Sequence, residues 1–309
     1  MSVLETCGLK KRFGKTWALS GVDLVVNEGE VYGFIGPNGA GKSTTIRVLL
    51  GIIRATEGGA TVFGKDAWRD AVAIHKQLAF VPGDVNLWPN LSGGEVIDLF
   101  MRMRKGADKK RRDELIQKFD LNPSKKTGSY SKGNRQKVAL VAALASEVDL
   151  YVLDEPTSGL DPLMEIVFRE CVQELAQAGK TVFLSSHILS EVEQLCDKLS
   201  IIRQGVIVDT GTLDDMRHLT HNKVTVRTTQ PLLDLTSQRG VHDVVVKAGS
   251  AGSAGATGAT DSLGSVEFSM DNRFTSSIMS YLAQHEVQQI VSAPPTLEEL
   301  FISHYGIEA

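Results

Sequence analysis

One segment constrains the fold of this chain more than any other. The apolar run Val31–Ile35 leads directly into GPNGAGKS, residues Gly36–Ser43. This octet fits the pattern G-x-x-x-x-G-K-[ST], and TTIRVLLGII after it has the spacing of a helix. Glycines let backbone N–H groups curl around phosphates, and the positive end of the following helix adds to their attraction. The sequence therefore predicts a strand, a phosphate-binding loop and a helix in succession.

Each residue of this loop has an expected task. Lys42 supplies positive charge, Ser43 offers a hydroxyl to Mg²⁺, and Thr44 can donate to the α-phosphate. The predicted nucleotide-binding set within this segment is Gly36, Pro37, Asn38, Gly39, Ala40, Gly41, Lys42, Ser43 and Thr44. The motif alone indicates a P-loop NTPase, a class that covers many functions.

The first 220 residues alternate short apolar runs with longer amphipathic stretches. This alternation is typical of an α/β fold in which helices cover a mostly parallel sheet. Besides Val31–Gly36, the segments Leu150–Asp154 and Thr181–Ser186 are predicted to be buried strands. Ligands bind at the carboxyl ends of the strands in such sheets, so the residues that follow these strands are candidate site residues.

Two carboxylates and a histidine follow these strands. Asp154 ends the second strand and is expected to hold Mg²⁺ through water, while Glu155 is expected to accept a proton from the attacking water. His187 follows the third strand and is a candidate contact for the γ-phosphate. The predicted catalytic residues are therefore Glu155, His187 and Lys42, and the predicted metal ligands are Ser43 and Asp154.

Composition excludes several other classes of protein. The formal net charge is −4, without the basic excess of a dedicated nucleic-acid binder. The three cysteines, Cys7, Cys171 and Cys196, lack the spacing of a disulfide framework or a zinc site, and we predict buried thiols. We find no apolar run long enough to cross a bilayer and no signal peptide at the N-terminus, so a membrane role is expected to come through a partner.

A second, smaller unit is predicted after the first. We expect an ATPase domain over 1–220 and an α+β accessory domain over 221–309, with strands and a helix near Ser276–His285. Within the accessory domain, 249–264 consists almost entirely of small residues and is predicted to be a flexible loop. Thr296 and Glu299 match a capping box that would open a final helix.

The motifs at Gly36–Thr44, Leu150–Asp161 and His187 together resemble the ATP-binding subunits of ABC transporters. The resemblance covers about residues 3–215. It implies a RecA-like parallel core, an antiparallel β subdomain and a helical subdomain over about 85–145. It also implies that two such domains pair head to tail, each P-loop holding ATP and Mg²⁺ against the signature motif of the partner.

Two segments compete for that signature. NLSGGE at Asn90–Glu95 is closest in its letters, but Ser92 lies 62 positions before Asp154. YSKGN at Tyr130–Asn134 places Ser131 only 23 positions before Asp154, at the start of an apolar helix, as the family requires. We therefore assign the signature to Ser131, Lys132, Gly133 and Asn134, and predict that Ser92 and Glu95 form a helix capping box.

The resemblance assigns further positions. Ser158, Gly159, Leu160 and Asp161 match the D-loop, and Gly83 with Asp84 occupies the place of the Q-loop glutamine. Phe13 matches the aromatic that stacks on adenine, with a core phenylalanine as the alternative. Leu87, Trp88 and Leu91 are candidates for the groove that receives a membrane subunit, with packing inside the helical subdomain as the alternative.

The sequence thus predicts an ATP-hydrolysing subunit that dimerises on ATP and powers a separately encoded membrane permease. It would lie on the cytoplasmic face of the membrane, without a nucleic-acid partner. The SKG signature most resembles subunits of ABC-2 type exporters of drugs and antibiotics. Alternatives are a soluble ABC ATPase that acts on ribosomes or nucleic acid, and a P-loop kinase that would leave the YSKGN helix without a role.

Overall fold

The computed structural model describes residues 1–103, 108–218, 222–228, 232, 234–247 and 265–293. The chain divides into two compact units, Met1–Thr212 and Leu213–Ala309. The predicted loop at 249–264 and the predicted final helix after Thr296 lie outside the described residues. None of the helices within the described ranges is long and apolar enough to span a membrane.

Strands and helices alternate through the first unit. The described strands are β1 (Ser2–Phe13), β2 (Thr16–Asn27), β3 (Val31–Ile35), β4 (Glu57–Val62), β5 (Lys65–Asp66), β6 (Leu78–Val81), β7 (Leu150–Asp154), β8 (Thr181–Ser186), β9 (Lys198–Arg203) and β10 (Val206–Thr212). The described helices are α1 (Lys42–Leu49), α2 (Ala71–Ile74), α3 (Gly93–Met103), α4 (Lys109–Lys118), α5 (Lys132–Leu144), α6 (Pro162–Gln177) and α7 (Leu189–Leu195).

The central sheet brings the predicted site strands side by side. Its order is β10-β9-β3-β8-β7-β6. Strand β3 pairs in parallel with β8 and β9, and β7 pairs in parallel with β8 and β6. A separate antiparallel sheet has the order β2-β1-β4-β5. The predicted α/β fold, with a parallel core and an antiparallel β subdomain, is confirmed, and the carboxyl ends of β3, β8, β7 and β6 meet at one edge.

The core strands are buried because helices cover the parallel sheet. Every residue of β3, β7 and β8 is buried. Phe34 and Phe183 contact each other across neighbouring strands, with ring centroids 5.6 Å apart. Ile46 of α1 belongs to the same cluster as Leu4 and Leu24 of the antiparallel sheet. Helix α1, which begins at the glycine loop, is thus packed between the two sheets.

Two sequence expectations about this unit are wrong in detail. The helix expected over Thr44–Ile53 ends at Leu49, because Gly51 takes a left-handed conformation (φ 63°). A Cβ at Gly51 would lie 2.3 Å from the Ala67 carbonyl oxygen, so a side chain is excluded there. Among the cysteines, Cys171 and Cys196 are buried as predicted, whereas Cys7 is exposed on β1. Burial raises the pKa of the Cys171 thiol to about 11.

The second unit is a small α+β structure. Its described elements are α8 (Leu213–His218), β11 (Asn222–Thr228), β12 (Val241–Lys247), β13 (Ser265–Met270), α9 (Thr275–Ala283) and β14 (Val287–Ala293). The strands form an antiparallel sheet of order β12-β13-β11-β14. Val224, Phe268 and Ile278 form its core, where α9 packs on the sheet.

Candidate functional site

The glycine loop after β3 has the shape of a phosphate cradle. Gly39 (φ 82°) and Gly41 (φ 117°) take backbone conformations that residues with a side chain rarely adopt. A Cβ at Gly36 would lie 2.4 Å from the Ile202 carbonyl oxygen, so this glycine is fixed by packing. Helix α1 begins at Lys42, and the N–H groups of its first turn have no partner within the helix. The loop and the helix start together can bind an anion.

Lys42 brings a buried cation to this cradle. Its side chain is 4% exposed, and Nζ donates to the carbonyl oxygens of Gly36 (2.6 Å) and Pro37 (3.3 Å). The same Nζ lies 3.4 Å from Oε1 of Glu155. Ser43 and Thr44 follow in the first turn of α1, half-buried. A buried ammonium group is stable only with anionic or carbonyl partners, and phosphate oxygens are well suited to that role.

The predicted carboxylates lie where β7 meets this loop. Asp154 is buried at the strand end, and Glu155, the next residue, takes a left-handed backbone conformation (φ 47°). Glu155 Oε1 faces Lys42, and its Oε2 lies 3.4 Å from Nδ1 of His187, which is about half exposed. The structure therefore brings Lys42, Glu155 and His187 together, with Glu155 between the other two.

Ser185 joins the two carboxylates, and sequence reasoning missed it. Its hydroxyl donates to Asp154 Oδ1 (2.5 Å), and the Glu155 N–H donates to Ser185 Oγ (3.2 Å) and to its carbonyl oxygen (3.0 Å). Asp154 and Ser185 are register partners on adjacent parallel strands. The sequence signal was that the apolar run TVFL continues into the polar residues SSH, of which Ser185 is the first, and the strand order was needed to interpret it.

The metal prediction is compatible with the oxygen atoms at this edge. One carboxylate oxygen of Asp154 is engaged by Ser185, and a Cβ at Gly83 would lie 3.7 Å from the other, Oδ2. No group of three or more His, Cys, Asp or Glu side chains able to hold a metal occurs among the described residues. A carboxylate plus the Ser43 hydroxyl suits Mg²⁺, which typically takes its remaining ligands from water and nucleotide phosphates.

Gly83 and Asp84, in the place of the Q-loop glutamine, follow the end of β6. A Cβ at Gly83 would lie 3.2 Å from the Asp154 carbonyl oxygen, so the backbone itself approaches the predicted metal ligand Asp154. The Asp84 carboxylate is exposed and accepts a hydrogen bond from Asn86 (3.3 Å). Asp84 is thus paired locally with Asn86.

A third carboxyl group, Glu191, is buried behind the site. Its Oε2 accepts a hydrogen bond from the Ser186 hydroxyl (2.8 Å), next to His187. Burial raises the pKa of Glu191, and hydrogen bonds from Thr157 and Ser186 work against that rise. The contact fixes helix α7 to the end of β8.

The predicted signature lies at the start of α5. Ser131 is the N-cap, and its Oγ accepts from the Asn134 N–H (3.3 Å). Lys132 Nζ donates to the Ser158 hydroxyl (2.8 Å) in the predicted D-loop, and a Cβ at Gly133 would lie 2.3 Å from the Gly159 carbonyl oxygen. The predicted signature thus contacts the predicted D-loop of the same chain.

The competing segment NLSGGE has a structural role, as predicted. The Ser92 N–H donates to Glu95 Oε2 (2.6 Å), and the Glu95 N–H donates to Ser92 Oγ (3.2 Å). These reciprocal bonds form the capping box at the start of α3. Hydrogen bonding to Ser92 is the main cause that lowers the pKa of Glu95.

An apolar cavity of about 290 Å³ lies between β6, α3 and α5. Leu87 lines it together with Phe80, Val85 and Phe100. Trp88 is 52% exposed, with its ring centroid 6.1 Å from that of Phe100. Leu91 is only partly buried. The segment after the Q-loop position therefore exposes apolar surface beside an open cavity.

Phe13 is at the tip of the hairpin between β1 and β2. Its side chain is 51% exposed, which rules out the alternative of a core phenylalanine. Lys11 Nζ lies 5.0 Å from the ring centroid. The ring is therefore available to stack on a planar group.

Comparison with known proteins identifies the family. The family model described as "ABC transporter" matches residues 19–158. The daunorubicin resistance ATP-binding protein DrrA3 of Streptomyces coeruleorubidus is 38% identical over 68% of this chain and 68% of its own. The bacitracin transport ATP-binding protein BcrA of Bacillus licheniformis is 33% identical over 70% and 72%.

Solved structures agree with these relatives. One described as an ATP binding subunit of an ABC transporter superimposes with a TM-score of 0.65 and 33% identity, covering 70% of this chain and 92% of the other. The chain therefore belongs to the ATP-binding subunits of ABC transporters, a family of ATP hydrolases.

Proposed function

We propose that this chain dimerises on ATP, hydrolyses it, and powers a separately encoded permease that exports drugs, antibiotics or other amphiphiles. The observation that carries the proposal is the cluster of Lys42, Glu155 and His187 beside the glycine loop. Export is supported by relatives named for daunorubicin resistance and bacitracin transport. Because these two relatives are named for different compounds and resemble this chain to a similar extent, the proposal names a class of exported compounds and not one compound.

In the proposed reaction, the loop and Lys42 hold the phosphates of ATP while Glu155 accepts a proton from the attacking water. Lys42 must exchange its contact with Glu155 for phosphate oxygens, which frees Oε1 of Glu155 to bind water. His187, whose Nδ1 lies 3.4 Å from Glu155 Oε2, would contact the γ-phosphate. Ser43 and Asp154 would hold Mg²⁺, which neutralises developing charge on the phosphates. Phe13 would stack on adenine.

The same site requires a second subunit. Ser131 is exposed at the N-terminus of α5, where its hydroxyl, the first N–H groups and the helix dipole can face an anion. We assign Ser131 and Gly133 to contact with the ATP held by the partner, so that each nucleotide lies between two chains. Asp161 caps helix α6 through the Met164 N–H (3.1 Å) and fixes the end of the D-loop.

The permease would dock at the apolar surface beside the cavity, near Leu87 and Trp88. An exposed tryptophan next to an open apolar cavity offers a surface against which a partner can bury the apolar face of a helix. This arrangement would place the subunit on the cytoplasmic face of the membrane. It would also connect the permease to the edge of the sheet through Gly83, which lies beside Asp154.

The substitution Glu155→Gln tests the hydrolytic assignment. It keeps the shape of the side chain but cannot accept a proton, so ATP turnover should fall at least a hundredfold, the lower end of the range for general-base catalysis. With ATP and Mg²⁺ the variant should elute as a dimer in size-exclusion chromatography. Glu147→Gln, an exposed change before the same strand, is the matched control. Normal turnover in Glu155→Gln would contradict the proposal.

The transport part needs its own experiment. Affinity-tagged Glu155→Gln, purified with ATP from membranes of the source cells, should carry an integral membrane protein with it. Adding Trp88→Glu to this variant should release that membrane protein. Trp88→Glu alone, in the otherwise wild-type subunit, should leave the ATPase rate unchanged. Recovery of ribosomes or nucleic acid instead of a membrane protein would favour the soluble alternative.

A further inference from the structure

The signature helix and the turn after Glu155 are connected within one chain. The turn begins at Glu155, whose carbonyl oxygen accepts from the Ser158 N–H (3.1 Å), and it continues with a bond from the Leu160 N–H to the Thr157 carbonyl (2.9 Å). Ser158 is therefore tied by its backbone to the residue that we assign as the catalytic base.

Helix α5 holds this turn at two points. Lys132 Nζ donates to Ser158 Oγ (2.8 Å), and Gln136 Nε2 donates to the Pro156 carbonyl oxygen (2.9 Å). The two donors are four residues apart and so lie on one face of the helix. Gln136 is 1% exposed, which leaves its amide few alternative partners. A continuous chain of hydrogen bonds thus runs from Lys132 through Ser158 to Glu155.

The packing beneath this contact is close. A Cβ at Gly133 would meet the Gly159 carbonyl oxygen at 2.3 Å, and a Cβ at Gly159 would lie 3.4 Å from the Cγ and Cδ atoms of Lys132. The stem of Lys132 therefore covers Gly159 while its ammonium group reaches Ser158. A residue without a side chain at position 132 could form neither contact.

We propose that Lys132 is a positioning residue that holds the 155–159 turn and thereby steadies Glu155 of its own subunit. The inference rests on the proposed function, because it takes Glu155 as the base and Ser131 as a contact for the ATP of the partner. Helix α5 would then have two roles. Its N-terminus would contact the ATP bound by the partner, and Lys132 on the same helix would position Glu155, which acts on the ATP bound by its own chain. Lys132 thus links the two ATP sites of the dimer from within each chain.

The first test does not depend on hydrolysis. Hydrogen exchange of the full chain without nucleotide should be faster in peptides covering 155–160 for Lys132→Met than for the wild type. Ser158→Ala should give a similar increase, because it removes the acceptor of the same bond. Lys125→Met, an exposed change before the same helix, is the matched control and should not alter that segment. Unchanged exchange in Lys132→Met would overturn the proposal even if the chain hydrolysed no ATP.

The second test separates positioning from direct contact with nucleotide. Lys132→Met and Ser158→Ala should each lower kcat about fivefold, the effect of losing one hydrogen bond, and should leave KM for ATP unchanged. The double variant should lose no more than either single one, since both act through one bond. Lys132→Arg should restore most of the rate. If the two losses multiply, or if Lys132→Met changes KM rather than kcat, Lys132 acts on the nucleotide and the proposal fails.

The two proposals can fail separately. Absence of ATP hydrolysis by the wild type, together with absence of an ATP-dependent Glu155→Gln dimer, would refute the proposed function. Faster exchange of the turn in Lys132→Met with an undiminished kcat would instead refute only the link to Glu155.

Discussion

Ser131 and Ser92 offer a matched pair of substitutions that separates nucleotide binding from helix capping. Both serines precede a helix, and each hydroxyl accepts from the N–H three residues on, at 3.3 Å and 3.2 Å. Replacing either by arginine removes one cap, which costs about 1 kcal/mol. In a domain of this size such a loss lowers Tm by about 2–4 °C. Both variants should therefore be destabilised to a similar extent.

The two variants should differ strongly in activity. At Ser131 the arginine also removes a hydrogen bond to a charged phosphate, about 1.5–3 kcal/mol, and fills the space between the subunits. ATP-dependent dimerisation should weaken about tenfold to a hundredfold or more. Ser92→Arg should dimerise as the wild type does, because the hydrogen bonds of its capping box join Ser92 and Glu95 to each other at the start of α3.

The assay combines thermal unfolding with size-exclusion chromatography of each variant in a Glu155→Gln background with ATP and Mg²⁺. Equal loss of dimer in both variants, at equal Tm, would refute the assignment of the signature to Ser131. Loss of dimer in Ser92→Arg alone would transfer the assignment to NLSGGE.

Three further predictions follow from the site. Ser185→Ala should lower kcat about tenfold, because it removes the hydroxyl that donates to Asp154 and accepts from the Glu155 N–H, and Ser185→Thr should restore activity; steady-state ATPase assays check this. Burial raises the pKa of Glu191, so its contribution to stability is fully present below the pKa of the unfolded chain, about 4.3, and is lost as the pH rises through the folded value. Glu191→Gln should therefore gain stability over the wild type as the pH rises from 4 to 8, measured by urea unfolding; a constant difference would contradict this. Phe13→Ala should raise KM for ATP several-fold with little change in kcat, whereas Phe13→Trp should not, and an altered kcat alone would argue against stacking.

Some of the site follows from the order of residues along the chain. The glycine loop, Asp154 and His187 each follow an apolar run, and parallel strands bring their carboxyl ends to one edge. The distance from Asp154 distinguishes Ser131 from Ser92 as the signature serine, because the helix that Ser131 caps leads into β7. The spacing of Ser92 and Glu95, three residues apart before an apolar run, is sufficient to predict their capping box.

Other parts depend on which elements become neighbours. Ser185 bonds Asp154 because β8 lies next to β7, and Gln136 bonds Pro156 because α5 lies against the turn. Neither pairing has a signal in the spacing of residues. The end of α1 before Gly51 could not be predicted for a similar reason. The Ala67 carbonyl oxygen that excludes a side chain at Gly51 belongs to a turn later in the chain.

The backbone of Glu155 has a consequence for how this protein can be altered. A residue with a side chain in the left-handed region is less stable by about 1–2 kcal/mol than one in a regular conformation, and glycine largely avoids that cost. Glu155→Gly should therefore relieve backbone strain while removing the base. Selection of variants for thermal stability alone would favour glycine at this position and yield stable proteins that no longer hydrolyse ATP. Such a selection must therefore measure the ATPase rate as well as the thermal stability.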